Sequence, residues 1–304
     1  TKSWKHNVRT ALEYSINEKN HLNVAYTGSF TPDRDGRSIA DGSFQQSTLD
    51  KSTEDKMHNI SVQYSSGIGL DLGGDYTKFM SDNNQTMLTQ LTDKSQNTYT
   101  LSGGQRIDCH SVYADQKHRL ANNWGVGYGI SYRYTKNYDF QTYDNVTGNI
   151  KPENTNAKLK EQTTSFYFSL SKNWETGTSF TVSATGEYYT IGNYYKWAVY
   201  PQASLLYLQS PRHIFQLSLS TDKTYPSYWD MQSSVTYLNG YSEIQGTPGL
   251  RPMTTYNLNG NYILKQKYIF GLFYKHTSDY FAQSPYQATE RLALIYKNTN
   301  WNYT

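Results

Sequence analysis

Histidine, cysteine and carboxylate side chains are the groups through which this chain could do chemistry. Seven histidines are present, and none lies in an HExxH sequence, beside a GxSxG nucleophile or at a zinc-ligand spacing. The single cysteine, Cys109, excludes an internal disulfide and a cysteine-based zinc site. We therefore expect no catalytic, cofactor or metal site in this chain.

One polar stretch deserves comparison with a catalytic site. Arg106, Asp108 and His110 alternate along a predicted strand and so share one of its faces. Asp115 and His118 follow closely in the sequence. A Ser/His/Asp site can be imagined here. The strand pattern described below, however, predicts a water-filled β-barrel, and polar pairs are expected on the inner face of any such barrel. We interpret these residues as lumen wall and predict that the protein is not an enzyme.

Aromatic residues in predicted loops are the candidates for ligand binding. Phe44, Trp229 and Tyr241 offer rings that can stack on a sugar or another small ligand, although they can equally pack on one another. The alternating glycines of residues 125–129 are not followed by a helix, so they do not form a phosphate loop. They indicate a bend, or a place where another segment approaches a strand. The 28 basic residues are scattered and the net charge is +3, which argues against a nucleic-acid partner.

The elements that carry these residues are strands. Phe166, Phe168 and Leu170 alternate with polar residues, and Phe180, Val182 and Ala184 repeat the pattern. A period of two is typical of a strand with one apolar face. The same pattern predicts thirteen strands near residues 4–16, 21–30, 57–66, 68–80, 106–119, 124–138, 163–173, 178–190, 196–208, 213–222, 253–263, 268–278 and 289–297. No convincing helix is predicted, and no run of about 18 apolar residues could form a transmembrane helix.

The connections between these strands alternate in length. Short connections lie at residues 17–20, 66–67, 121–123, 174–177, 209–212 and 264–267. Long polar connections lie at residues 31–56, 81–105, 137–162, 223–252 and 279–288, and only residues 191–195 are short where a long one is due. Outer-membrane barrels have short periplasmic turns and long extracellular loops. The alternation therefore predicts an antiparallel transmembrane β-barrel.

The alternation also predicts which residues contact lipid. We expect outward-facing side chains at Val8, Leu12, Tyr14, Ile60, Val62, Tyr64, Ile68, Leu70, Leu72, Val126, Tyr128, Ile130 and Tyr132. Their odd-numbered neighbours, such as Arg9, Asp71 and Arg133, are expected to face inward. The parity reverses around Trp197 and Val199, as it does when a connection changes register.

Composition agrees with a barrel. The apolar fraction of 36% includes 30 tyrosines, and the mean hydropathy is −0.78. This supply is small for the deep core of a soluble domain of 304 residues, whereas a barrel with a wet lumen needs apolar residues only on its lipid face. Tyrosine is an amphipathic residue that suits the aromatic girdles of such barrels.

Two segments carry a family resemblance. Residues 225–230 read Tyr-Pro-Ser-Tyr-Trp-Asp, and residues 246–252 read Gly-Thr-Pro-Gly-Leu-Arg-Pro. They are similar to the PSYxDL and GNPxLKPE region of the outer-membrane β-barrel family of Bacteroidetes, which resembles the barrel of TonB-dependent receptors. The matching positions are Pro226, Ser227, Tyr228, Asp230, Gly246, Pro248, Leu250 and Pro252. We interpret them as a structural corner in which Gly249 permits a positive φ.

The resemblance implies a barrel of twenty-two strands, so that residues 1–304 form one barrel domain, truncated at both ends and without a plug domain. It implies a Gram-negative outer membrane, lipid as a partner, and a plug and TonB system supplied by absent parts of the chain. The implied function is the wall of an uptake receptor whose extracellular loops capture an unidentified nutrient.

Two alternatives stay open at this stage. One is a passive, porin-like or adhesive outer-membrane barrel without energised transport. The other is a soluble β-protein that binds carbohydrate, which would stay monodisperse without detergent.

Overall fold

The computed structural model describes residues 4–42, 45–148, 152–232, 235–239, 242–289 and 293–301. Phe44 and Tyr241, two of the predicted ligand contacts, lie outside these ranges. The described chain is built almost wholly of strands, joined by two single-turn helices. The strands are β1 (His6–Asn17), β2 (Asn20–Gly42), β3 (Gln45–Ser65), β4 (Leu70–Leu91), β5 (Gln96–Arg119), β6 (Trp124–Thr147), β7 (Thr155–Asn173), β8 (Ser179–Ile191), β9 (Tyr194–Ser210), β10 (His213–Thr224), β11 (Val235–Asn239), β12 (Ser242–Gln245), β13 (Met253–Leu264), β14 (Tyr268–Ser278), β15 (Phe281–Gln287) and β16 (Leu294–Asn300).

Twelve strands form one antiparallel sheet. Its order is β1 to β10 followed by β13 and β14, so each strand lies beside its neighbour in the chain or, at β10–β13, across one inserted segment. The first twelve predicted strands all lie in this sheet, which confirms the predicted meander. Within the described residues no helix is long and apolar enough to cross a membrane.

The two ends of the sheet differ as the connection lengths predict, but the long connections are themselves strands. Tight turns join the strands at one end, for example between Asn17 and Asn20. At the other end β2 to β6 continue, still paired, to Gly42↔Gln45 and Gln90↔Gln96. The prediction of long loops at residues 31–56, 81–105 and 137–162 was therefore wrong, because these mostly polar sequences show no sustained apolar alternation yet keep the backbone pairing of the wall. We call this extension the upper wall.

The predicted lipid face is confirmed by exposure. Directly paired residues of an antiparallel sheet point to the same side, and one such row runs from Tyr64 through Leu72, Ala114 and Ile130 to Phe166. Ile130 is 43% exposed and Phe166 is 51% exposed although both are apolar. A sheet that leaves such a row uncovered requires an apolar solvent on that side.

The parity reversal after β8 has a geometric cause. Ile191 pairs with Tyr194, so the turn between β8 and β9 contains only two residues. Each even-numbered residue of β8 is therefore paired with an odd-numbered residue of β9. The outward positions of β9 are odd, and Val199 faces outward beside Gly186. The exposed Trp197 and Val199 confirm the reversal.

A second, smaller sheet has the order β11-β12-β16-β15. The thirteenth predicted strand corresponds to β16, which belongs here and pairs in parallel with β12 rather than extending the meander. Strands β11, β12 and β15 lie in segments that were predicted as loops. Tyr237 of β11 packs against a buried cluster on the upper wall, and this contact joins the small sheet to the large one. The members of the cluster are Leu49, Met87, Tyr99, Leu101 and Tyr143.

Candidate functional site at the mouth of the barrel

The segment after β10 turns inward and begins a one-turn helix, α1 (Tyr228–Met231). Ser227 caps this helix: its Oγ accepts a hydrogen bond from the Asp230 N–H at 3.1 Å, and the Ser227 N–H donates to Asp230 Oδ2 at 3.2 Å. Reciprocal bonds of this kind form a capping box, which satisfies helix N–H groups that would otherwise lack partners. The spacing of Ser227 and Asp230 was the available signal for this helix, and the prediction that the chain has no helix was wrong.

The two segments of the sequence motif meet in space. The Thr247 N–H donates to the Asp230 carbonyl at 2.6 Å, and Asn298 of β16 donates to Asp230 Oδ1 at 2.7 Å. Gly246 lies against the backbone of Gln232 so closely that a Cβ would overlap the Gln232 carbonyl oxygen. Asp230 therefore ties α1 both to the second motif segment and to the small sheet.

The corner at Gly249 is built differently from the prediction. Gly249 does not have a positive φ, and no atom lies within 4 Å of a Cβ placed there. The turn instead closes through a hydrogen bond from the Leu250 N–H to the Thr247 carbonyl at 3.0 Å. Leu250, 2% exposed, packs with Met231 and Ile191, so burial of this side chain orients the segment.

A buried ion pair joins β10 to β8 at the point where the inward segment leaves the wall. Lys223 pairs with Glu187 of β8, and their side chains are only 12% and 9% exposed. The Tyr225 hydroxyl donates to both oxygens of Glu187 at 3.1 Å. The Lys223 Nζ also lies 4.1 Å from the ring centroid of Tyr225 and 4.6 Å from that of Tyr189. We call Lys223, Glu187 and Tyr225 the latch.

A second carboxylate holds α1 itself. The Tyr228 hydroxyl donates to Glu161 of β7. Sequence analysis gave no role to Glu161, Glu187 or Lys223. For Glu187 the available signal was a charged residue at an inward position of a predicted strand, where polar groups mark the lumen side. Glu161 and Lys223 fell in segments that were predicted as loops, so the sequence offered no such signal for them.

Beneath the inward segment, the inner face of the wall borders an open cavity of about 1190 Å³. Residues 225–229 line one side of it, and inward positions of the wall line the other, among them Asp75, Tyr113, Arg133 and Tyr167. The volume is on the scale of sites that hold small-molecule ligands. Trp229 therefore lies at the cavity with its side chain 38% exposed. Its role as a ligand contact stays a prediction.

The glycines of the wall accommodate tyrosine rings of the same chain. A Cβ on Gly129 would overlap Asp115 and the ring of Tyr167, and a Cβ on Gly73 would overlap Tyr113. A Cβ on Gly125 or Gly127 would instead overlap the hydroxyl of Ser171 or Ser169 on β7, so the alternating glycines mark the close approach of side chains from neighbouring strands. The predicted bend or approach of a separate segment is not needed to explain these positions.

The polar stretch on β5 lies on the opposite side from the one predicted. Asp108 and His110 share the parity of Val112, which is 56% exposed on the lipid face, whereas Cys109 and Ser111 line the cavity. The Tyr76 hydroxyl donates to Asp108 at 2.7 Å, and the Tyr76 ring lies 4.7 Å from that of His110. The interpretation as lumen wall was therefore wrong for Arg106, Asp108, His110 and His118, because they follow the parity of the outer face, whereas Asp115 does line the cavity.

Comparison with known proteins agrees with this architecture. Residues 63–304 match the model of the outer membrane protein beta-barrel family. The chain belongs to this family and hence to the outer membrane of a Gram-negative cell. A search of curated proteins found no match.

Solved structures of outer-membrane receptors have a similar fold. The alcaligin outer-membrane receptor FauA of Bordetella pertussis aligns with a TM-score of 0.50 at 9% identity, over 97% of this chain and 48% of the receptor. A mutant of the ferric enterobactin receptor PfeA of Pseudomonas aeruginosa aligns with a TM-score of 0.49 at 9% identity, over 97% and 55%. The chain thus spans about half the length of these receptors. The similarity to FauA supports the barrel fold.

Proposed function

We propose that this chain forms the wall and the ligand-capturing mouth of a TonB-dependent uptake receptor. The observation that carries the proposal is the cavity of about 1190 Å³ on the inner face, with residues 225–229 fastened above it through Glu187 and Glu161. A fixed inward segment above a polar wall provides a binding surface that faces the extracellular side, because the tight turns lie at the other end.

The plug domain and the contact with TonB would come from other parts of the protein. The receptors with similar folds are named for alcaligin and ferric enterobactin, so ferric siderophores are the first ligand class to test. Vitamins, peptides and glycans follow. The Bacteroidetes origin suggested by the sequence motif is part of this proposal.

The proposal is tested by uptake in the source bacterium. We expect deletion of the gene to abolish accumulation of one member of a panel of radiolabelled ferric siderophores, vitamins, peptides and glycans. Removal of TonB should abolish the same uptake. Uptake that survives without TonB would instead support a passive barrel, and unchanged uptake after gene deletion would refute the receptor assignment for the whole panel.

A pair of variants locates the binding surface. Replacing Trp229 by alanine should weaken binding about fivefold to tenfold, because one stacked aromatic ring contributes roughly 1 to 1.5 kcal/mol. Trp174→Ala is the matched control, since Trp174 is similarly exposed at 43% but lies beside a tight turn at the far end of the barrel. Equal affinities in the two variants would contradict the placement of the ligand at the mouth.

A further inference from the structure

A group of lysines lies on the outer face of the wall, just above the apolar rows. Pairing across β4 to β7 places Lys78, Asp108, Lys136 and Lys160 in one transverse row. Lys158 precedes Lys160 by two residues on β7, so it lies on the same side of the sheet and one row closer to the upper wall. All four lysines are exposed. We call Lys78, Lys136, Lys158 and Lys160 the lysine patch.

These lysines have little opposing charge around them. Among the described residues, none of the four takes part in an ion pair within 4.0 Å, whereas the nearby Lys56 pairs with Glu54 at 2.7 Å. Asp108 is the one acidic residue in the row, and it accepts the hydrogen bond from Tyr76. Lys136 and Lys160 lie directly opposite each other. Like charges at such positions repel, so a bound anion would stabilise this part of the sheet.

The level of the lysine patch is set by the rows beneath it. From the row of Lys78, two residues along each strand toward the tight turns, lies a row that contains Tyr26, Tyr76 and Tyr134. Another two residues in the same direction lies the apolar row that contains Val62 and Val112. Each step of two residues is about 7 Å along the strand. The lysines therefore begin about 13 Å from the apolar row, with a tyrosine row between them. This order of apolar, aromatic and charged rows matches the order of hydrocarbon, interface and headgroup in a membrane leaflet.

The end of the sheet identifies the leaflet. The lysine patch lies toward the upper wall and away from the tight turns, which are periplasmic in bacterial barrels. It therefore faces the outer leaflet of the outer membrane, whose glycolipid carries phosphate groups next to its acyl chains. Lys136, Lys158 and Lys160 lie within one strand spacing and one row of each other, so their long side chains start close enough together to reach one phosphate group.

We propose that the lysine patch binds the phosphorylated headgroup of the outer-leaflet glycolipid and so attaches this side of the barrel to specific lipid molecules. The contact is a charge interaction beside a buried acyl region, and basic residues next to a membrane surface each strengthen lipid binding. The Lys136 Nζ lies 5.5 Å from the ring centroid of Tyr134 in the row below, and the Lys158 Nζ lies 5.7 Å from that of Tyr138, its directly paired neighbour, so each ammonium group has an aromatic ring beside it. The proposal depends on the outer-membrane location and not on nutrient uptake.

The test measures lipid binding by the intact protein in a zwitterionic detergent. The probe is bisphosphorylated lipid A, compared with the same lipid after removal of its phosphates and with inorganic phosphate alone. We expect the variant with Lys78, Lys136, Lys158 and Lys160 all replaced by glutamine to bind the bisphosphorylated lipid about tenfold more weakly or worse. Replacement by arginine should preserve binding, and added salt should weaken it in the unmodified protein.

The matched control replaces four lysines beside tight turns, Lys19, Lys117, Lys265 and Lys267, by glutamine, which changes the net charge equally. This control should bind lipid A like the unmodified protein, and circular dichroism should show that both variants keep their strands. An unchanged affinity in the patch variant would overturn the proposal, as would an equal loss in the control. If the dephosphorylated lipid bound equally well, the proposed contact with phosphate would be refuted. If inorganic phosphate bound as tightly as lipid A, the proposed recognition of a lipid would be refuted.

Discussion

The latch between Lys223 and Glu187 allows a quantitative prediction. Both side chains are about nine-tenths buried, so removing one partner leaves the other charge without compensation in a site that excludes water. Breaking a buried pair in this way costs about 3–5 kcal/mol. Because Tyr225 still donates to Glu187 when the lysine is lost, we take the lower end, about 3 kcal/mol, for Lys223→Met.

Since each 1.4 kcal/mol corresponds to about a factor of ten, local opening of α1 should increase about 100-fold in Lys223→Met. Amide hydrogen exchange of Tyr228–Met231 measures this opening in the intact protein. The strands β4 and β5 should be unaffected, because at least two strands of the sheet separate them from β8 and β10, which carry the ion pair. They therefore provide the internal control.

A double variant separates the pair from its surroundings. Lys223→Met combined with Glu187→Gln removes both charges, and we expect it to exchange more slowly at α1 than Lys223→Met alone. Exchange in Lys223→Met that stays within a factor of about three of the unmodified protein would refute the reasoning. The segment would then be held by the Leu250 and Met231 contacts rather than by charge.

Three further predictions follow from the wall and the motif. Ile130→Arg should reduce folding into lipid vesicles by about 2–4 kcal/mol, as expected for arginine at a lipid-facing position near the midplane, whereas Ser131→Arg on the inner face should be tolerated; similar losses in the two would contradict the face assignment. Gly246→Ala should destabilise the packing of α1 by about 1–3 kcal/mol, because the added methyl group overlaps the neighbouring backbone. Limited proteolysis should then cleave near α1 in this variant but not in Gly249→Ala, where a methyl group has free space. Tyr99 is buried in the upper wall, and burial raises the pKa of its hydroxyl above the usual value of about 10. The unfolded state therefore ionises first, so thermal stability should fall as the pH rises above about 10; Tyr99→Phe should reduce that loss, and equal pH dependence in both proteins would argue against it.

The sequence was sufficient for the membrane wall. Side chains of a strand alternate with a period of two, and lipid on one side forces every second residue to be apolar. The signal is therefore local, and it locates the strands around Ile130 and Phe166 without knowledge of the fold. The reversal at Val199 was readable for the same reason.

The upper wall could not be read in this way. Above the membrane the outer face of β2 to β6 is not covered by lipid, and the inner face buries polar residues such as Gln85 and Thr89 beside the small apolar cluster. A regular apolar alternation is therefore not imposed, and residues such as 81–90 have the composition of a loop. Their strand structure follows from backbone pairing that continues from the membrane segment. Pairing is a property of neighbouring strands and leaves little trace in a single segment.

The charged residues of the candidate site could be identified only from the tertiary structure. The motif at 225–230 predicted a corner, and Ser227 with Asp230 contained the signal for a helix cap. The partners of that corner lie far away in sequence: Glu187 is 38 residues from Tyr225, and Glu161 is 67 residues from Tyr228. Sequence alone determined that this chain is a lipid-facing wall of antiparallel strands, because alternation is local. Only the folded chain decided which inward carboxylates hold the segment at the mouth, because that choice depends on strand register and on the short β8–β9 turn, which brings distant residues to one level.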